Sequence, residues 1–413
     1  MANAYGNASA PIAHPAGQAG KNGRTPPISV KKVRKKFKMF SIRSGMDLPF
    51  LFLVFVLLVI GLIMMFSAGY AYALYRYGDS YFFIKRQLAY AIFGIAVMIF
   101  FSYFDYHRFH DFAIPILFLS YALLVLVRFM PAGKDGVHRW ISLGPLGQFQ
   151  PSEIAKFAII LIFAHLISIN FDRMSTFRYG VLPYIIILGV TAVLLLWEPH
   201  VSATVIIVVL GAVMLFIGGV KLRWFALAFG AAGAGILYLV KFTKEFTYAN
   251  MRIAAWLNPF SNESKALIKA NWQTRQSLYA IGSGGLFGLG FGQSRQKYLY
   301  IPEPANDSIF AIVCEELGFI GALIIVILFA MLVWRGVTIS LKAKDKFGML
   351  LGTGLVVQIG LQVILNIAVA TNTIPNTGIS MPFFSYGGSS LVMLLAEMGI
   401  VLSISRTSAI EKI

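Results

Sequence analysis

Apolar residues in this chain come in long unbroken runs rather than in the one-sided stripes of a soluble fold. Runs at 48–68, 87–104, 111–130, 153–169, 181–197, 201–219, 223–241, 308–334, 347–370 and 385–405 each approach the roughly 20 residues that a helix needs to cross a bilayer. Polar punctuation between some of them is minimal, as at Glu198-Pro199-His200 and Lys221-Leu222-Arg223. The pattern predicts an all-α polytopic membrane protein of about ten transmembrane helices. Three connections, 131–152, 242–307 and 371–386, are far longer than a turn requires, and alternation of spans puts all three on one face.

Composition narrows the class. Over 413 residues the chain is 58% hydrophobic and only 13% charged, which excludes a soluble enzyme domain, a disulfide scaffold and a disordered tail protein. The net charge of +18 raises the question of where the positive groups lie. Residues 1–46 are polar and basic and predict a disordered tail, and the run Lys31–Lys38 beside the first span reads as a lipid-facing anchor, so no nucleic-acid partner is expected. With that tail inside, the positive-inside rule is met by ten spans with both termini cytoplasmic. The division is then a 1–46 tail, a 47–406 membrane domain whose 242–307 stretch is a large extracytoplasmic loop between spans 7 and 8, and a short 407–413 tail. Cys314 is the single cysteine, which leaves no intrachain disulfide and no Cys-cluster metal site.

Candidate chemistry gathers on the outer face. Asp307 stands where the large loop enters a span, a place where partial desolvation suits a carboxylate to proton abstraction; the competing reading is a helix N-cap. Glu153 and Lys156, at i and i+3 at the start of a span, can pair and either brace the bundle or line a polar cavity. Glu315, Glu316 and Glu397 are further acids within spans, the residues a transporter would use as a proton relay. The stretch Gly282–Gly292 lacks the ending and context of a nucleotide loop. Ser385-Tyr386-Gly387-Gly388-Ser389-Ser390 is either a close-packed helix start or a re-entrant cavity lining.

Six stretches taken in order resemble the SEDS family of bacterial cell-wall proteins, the FtsW, RodA and SpoVE group. They are Gly136–Ile141, Gln150–Lys156, Gln276-Ser277 running into Gly282–Gly285, Pro302–Asp307, Glu315–Gly318 and Pro382–Ser390, and the match spans about residues 45–406. The resemblance implies a peptidoglycan glycosyltransferase that polymerises lipid II, the undecaprenyl-diphosphate-linked disaccharide-pentapeptide, on the outer face of the bacterial cytoplasmic membrane. It implies a class B penicillin-binding protein and other division-complex membrane proteins as partners. The family's essential Asp falls on Asp307 and its paired Glu and Lys on Glu153 and Lys156. Arg139, Arg295 and Lys297 are candidates, on side and charge alone, to hold the diphosphate, and Ser385 and Gly387 to line the cavity. A divalent cation would suit a diphosphate leaving group, but no ligand cluster declares one, and no cofactor is expected. Ser308 where Phe is common, Glu198–Ser202 in place of a Gln-Pro-Asp-x-Gly form, and Asn372 and Asn376 before Pro382 depart from the pattern. The long basic tail looks most like the division member, FtsW, and points to the septum. A lipid flippase and a scaffold for the penicillin-binding partner are the rival readings.

Overall fold

The computed structural model describes residues 45–131, 138–142, 144, 147–228, 230, 254–261 and 264–408. Among these, eight helices are long and apolar enough to cross a membrane, which makes the chain a multi-pass helical membrane protein. The expected tail 1–46 lies almost wholly outside the described residues, as do most of the expected span 223–241 and part of the 242–307 loop.

Helix α1 (Leu48–Tyr77) starts where the Asp47 side chain accepts a hydrogen bond from the Phe50 amide, and it stops at Gly78, which is left-handed at φ 70°. It runs nine residues past the expected 68 because Ser67–Tyr77 stays helix-compatible, with aromatic residues suited to an interface. α2 (Phe82–Tyr103) and α3 (Arg108–Arg128) follow, then a two-stranded ribbon, β1 (Ile141–Ser142) antiparallel to β2 (Gln148–Phe149). α4 (Pro151–Ile169) is the most central of the early helices: Ala158–Phe163 is buried on every side, against α3, α6, α7 and α10. A short α5 (Phe177–Gly180) leads into α6 (Leu182–Trp197) and α7 (Val201–Ile217).

The 242–307 connection contains a helix that the apolar pattern does not predict, α8 (Lys265–Gly284), capped by the Ser264 hydroxyl at the Leu267 amide. The last three helices are α9 (Ile309–Leu341), α10 (Lys346–Ala370) and α11 (Gly388–Thr407). α2 and α11 pack along their length, and a methyl group on Gly399 would lie 2.4 Å from the Met98 carbonyl, so only glycine permits that backbone approach.

The expected span 308–334 corresponds to α9, which the structure shows to be broken within its length at Gly318, whose φ of 68° and ψ of −172° are not helical. The break frees backbone groups that the glycine-rich stretch satisfies. The Leu289 and Gly290 amides donate to the Glu315 and Glu316 carbonyls, and the Phe319 and Ile320 amides donate to those of Gly285 and Leu286. The Gly282–Gly292 run is therefore a clasp around a broken helix.

At the end of the bundle where α1 begins, charged groups tie the turns together. Arg335 forks onto Asp47 at 2.7 and 3.0 Å, and Ser405 accepts from the Asp47 amide. His107 bridges Asp105 (2.6 Å) and Asp345 (3.3 Å), and Tyr106 donates to Asp345. Burial pulls the His107 pKa down, but its bonds to the two carboxylates outweigh that and raise it to about 9.

Candidate functional site

Asp307 lies at the opposite end, in the turn before α9. The N-cap of α9 is Ser308, which makes no side-chain cap bond, so Asp307 stands one residue outside the capping position. Three elements hold it. From α10, the Asn366 amide donates to the Asp307 carbonyl (2.9 Å) and to that of Ile379 (2.6 Å). From the 371–387 connection, the Ser385 hydroxyl donates to the Asn306 carbonyl (2.6 Å) and the Tyr386 amide to that of Ala305 (2.8 Å). From α8, Gln273 hydrogen-bonds the Asp307 carboxylate and donates to the Ser308 hydroxyl at 2.9 Å. Burial pushes the Asp307 carboxyl above the usual carboxylate range, and Gln273 and the neighbouring amides pull against it. Glu303 is exposed and takes a 2.7 Å bond from Asn306, so the two acids do not form a facing pair.

Glu153 and Lys156 pair at 2.9 Å, with their side chains only 12% and 4% exposed. Glu153 lines a small cavity together with Gln358, Gln362, Ser385, Ser390 and Glu397. Gln358 donates to Glu397 at 3.1 Å, and its own carbonyl oxygen is buried with no partner among the described residues. Gly387 donates its amide to Gln87, at 3.3 Å, and stands at the N-cap of α11.

The three basic candidates separate. Arg295 is exposed, while its amide donates to Glu315 (3.0 Å). Arg139 is half-buried and donates to the Pro199 carbonyl. Lys297 is placed differently from the other two: its ammonium is buried and bound to Glu316 (2.9 Å), Ser67 (3.1 Å) and the Gly292 carbonyl (2.7 Å). Glu315 is occupied in the same way, accepting from the Ser294 hydroxyl at 2.5 Å. A proton relay through Glu315 and Glu316 is thus replaced by a structural role, fastening the 290–297 stretch to the broken helix.

Sequence reasoning missed Gln273 and Asn366, because a carboxamide in a polar stretch or an apolar span carries no charge pattern. The substituted turn at 198–202 brings in two more polar groups. Burial pushes Glu198 up to about 8 against the opposing charge of Arg139, and burial with Arg139 and Lys156 pulls His200 down to about 3. Neither Glu198 oxygen has a hydrogen-bond partner among the described residues, and Ser202 donates to the Thr377 carbonyl. Among the described residues no group of three or more His, Cys, Asp or Glu side chains is placed to hold a metal ion.

Known proteins supply a further observation. A family model, FTSW_RODA_SPOVE, described as "Cell cycle protein", matches residues 48–410. "Stage V sporulation protein E" of Bacillus subtilis (strain 168) is 38% identical over 372 residues, covering 90% of this chain and all of that one. "Probable peptidoglycan glycosyltransferase FtsW" of Geobacter sp. (strain M18) is 38% identical over 365 residues, covering 88% and 97%. Among solved structures, a chain described under "Structural coordination of polymerization and crosslinking by a peptidoglycan synthase complex" superposes with a TM-score of 0.71 at 25% identity, covering 88% and 98%. The Thermus thermophilus Rod shape determining protein RodA shares the fold, with a TM-score of 0.64 at 24% identity over 89% and 99%.

Proposed function

The chain belongs to the FtsW/RodA/SpoVE family of cell cycle proteins, and on that footing we propose that it is a peptidoglycan glycosyltransferase. Its substrate is lipid II, polymerised into glycan strands at the outer face of the cytoplasmic membrane. Asp307 is the general base: it takes the proton of the acceptor sugar's hydroxyl as that oxygen attacks the anomeric carbon of the donor, whose lipid diphosphate leaves. The observation that supports this most is the placement of Asp307, a partly desolvated carboxylate held from α8, α10 and the 371–387 connection. Glu153 and Lys156 shape the acceptor side of the cavity as a pair and do not transfer protons. Arg139 and Arg295 remain the candidates for the diphosphate.

In this reading ten spans cross the membrane, the eight long helices joined by α7 and by a span at 223–241, with both termini cytoplasmic. A basic 1–46 tail precedes the 47–406 membrane domain, and a short 407–413 tail follows it. A class B penicillin-binding protein crosslinks the strands beside it, within a division complex at the septum. The flippase reading loses support from Glu315 and Glu316, whose oxygens are already committed to hydrogen bonds within the protein. The test is polymer formation from lipid II by full-length protein in detergent. Asp307→Asn, inserted and melting normally, is expected to make no glycan chains; chains made at the wild-type rate would remove Asp307 as base. Lipid II scrambling in liposomes without chain formation would favour transport.

A further inference from the structure

Two neutral carboxamides, Asn376 and Gln273, connect Asp307 to a backbone amide 71 residues further along the chain, and each has its orientation set by the group before it. The series starts at the Gly378 N–H, a group that can only donate, which bonds the Asn376 carbonyl oxygen at 3.2 Å. That fixes which end of the Asn376 carboxamide carries its hydrogens, and its nitrogen donates to the Gln273 carbonyl oxygen at 3.0 Å. Gln273 is oriented in turn, so its nitrogen faces Ser308 at 2.9 Å beside the Asp307 carboxylate. Gly378 itself passes close by, since a methyl group built on it would lie 3.4 Å from Asp307 Oδ2. A carboxamide turned the other way would point a carbonyl oxygen at the carboxylate. The direction of every bond in the series therefore decides whether Asp307 meets a donor or a repelling acceptor, and aligned donors reinforce one another.

We propose that Gln273 is a positioning residue for Asp307, and that Asn376 acts through Gln273 by fixing its amide with the donor end toward the carboxylate. The inference rests on Asp307 being the base of the proposed reaction. It assigns a role to Asn376, one of the positions where the chain departs from the family pattern, and to α8, the helix hidden in the polar loop. A donated hydrogen bond favours the ionised carboxylate, so losing it raises the pH at which the base becomes protonated.

The experiment is the pH dependence of kcat/KM for lipid II polymerisation by the full-length chain with its penicillin-binding partner. Asp307→Asn is the reference for the base assignment. Gln273→Met keeps the side chain's shape and removes its donor. It should move the acidic limb up by about one pH unit or more, the value of a charged hydrogen bond. Asn376→Leu should move the limb the same way by less. The double variant Gln273→Met with Asn376→Leu should shift no further than Gln273→Met alone. Acidic limbs that stay at the wild-type pH in Gln273→Met and Asn376→Leu, whatever happens to kcat, would overturn the proposal, as would additive shifts in the double variant. If Gln273→Met fails to insert, Asn376→Leu decides: a limb that stays at the wild-type pH overturns the proposal. An inactive Asp307→Asn with unmoved limbs refutes the relay alone, whereas an active Asp307→Asn refutes the base.

Discussion

Lys297→Met tests whether a buried lysine in the connection before α9 serves structure or substrate. Its side chain is 4% exposed and that of Glu316 is fully buried, and the two meet at 2.9 Å. At that distance and an effective dielectric of about 20, the Coulomb attraction is about 6 kcal/mol, against a desolvation cost of several kcal/mol per ion. Removing the ammonium leaves the Glu316 carboxylate with the Ser67 hydroxyl at 2.7 Å and the Ser294 amide at 3.4 Å, neither of them charged. Breaking one side of such a buried pair costs about 3–5 kcal/mol. The expected result is a Tm lowered by several degrees in detergent, and a double variant, Lys297→Met with Glu316→Gln, that recovers much of the loss because no charge is stranded. Thermal melting followed by tryptophan fluorescence, with polymerisation kinetics on the same preparations, reads both effects. An unchanged Tm with a raised KM for lipid II would refute the reasoning and make Lys297 the diphosphate ligand that charge alone suggests.

Three further outcomes follow from the geometry. Glu153→Lys and Lys156→Glu should each lower activity or yield by stranding a buried partner, and the charge-swapped double should recover part of the loss; a double no better than the worse single, at normal protein levels, would mean that these groups contact substrate directly. His107 is held protonated up to about pH 9, against 6.5 for a free histidine, so its stabilisation is complete below pH 6.5 and fades as pH rises through 9. His107→Gln should accordingly cost at most about 3 kcal/mol at pH 6 and little at pH 9.5, and melting curves whose gap from wild type does not narrow with pH would contradict this. Gly318→Ala places a methyl group 2.2 Å from the Gly288 amide nitrogen at a backbone geometry reserved for glycine, and should abolish a stable fold, whereas Gly360→Ala, 3.5 Å from its nearest neighbour, should melt like wild type.

Membrane-spanning character was legible because it depends on run length, and α4, α10 and α11 begin within three residues of their expected starts. The pairing of Glu153 with Lys156 was legible because helical spacing alone brings them together. What stayed hidden depends on partners distant in sequence. α8 is too polar to stand out by hydropathy, and its stability comes from tertiary bonds such as Trp272 to the Tyr300 carbonyl and Arg275 to those of Pro259 and Ser261. The break at Gly318 is invisible in an apolar run, since its cost is met by amides from residues 289–290. Lys297 read as a surface charge because Glu316, its partner, lies beyond the turn and inside the next helix.

The hydrogen bond from Ser385 to the Asn306 carbonyl spans 79 positions along the chain. Chains emerge from the ribosome at about 5–20 residues per second, so the turn carrying Asp307 is made about 4–16 s before the segment that secures it. During that interval α9 can enter the bilayer while the carboxylate lacks its contacts from α10 and the 371–387 connection. The surroundings of Asp307 are thus completed only by a segment synthesised well after its own turn. A ribosome stalled after α9 would leave an inserted intermediate whose Asp307 turn lacks its bonds from Asn366 and Ser385.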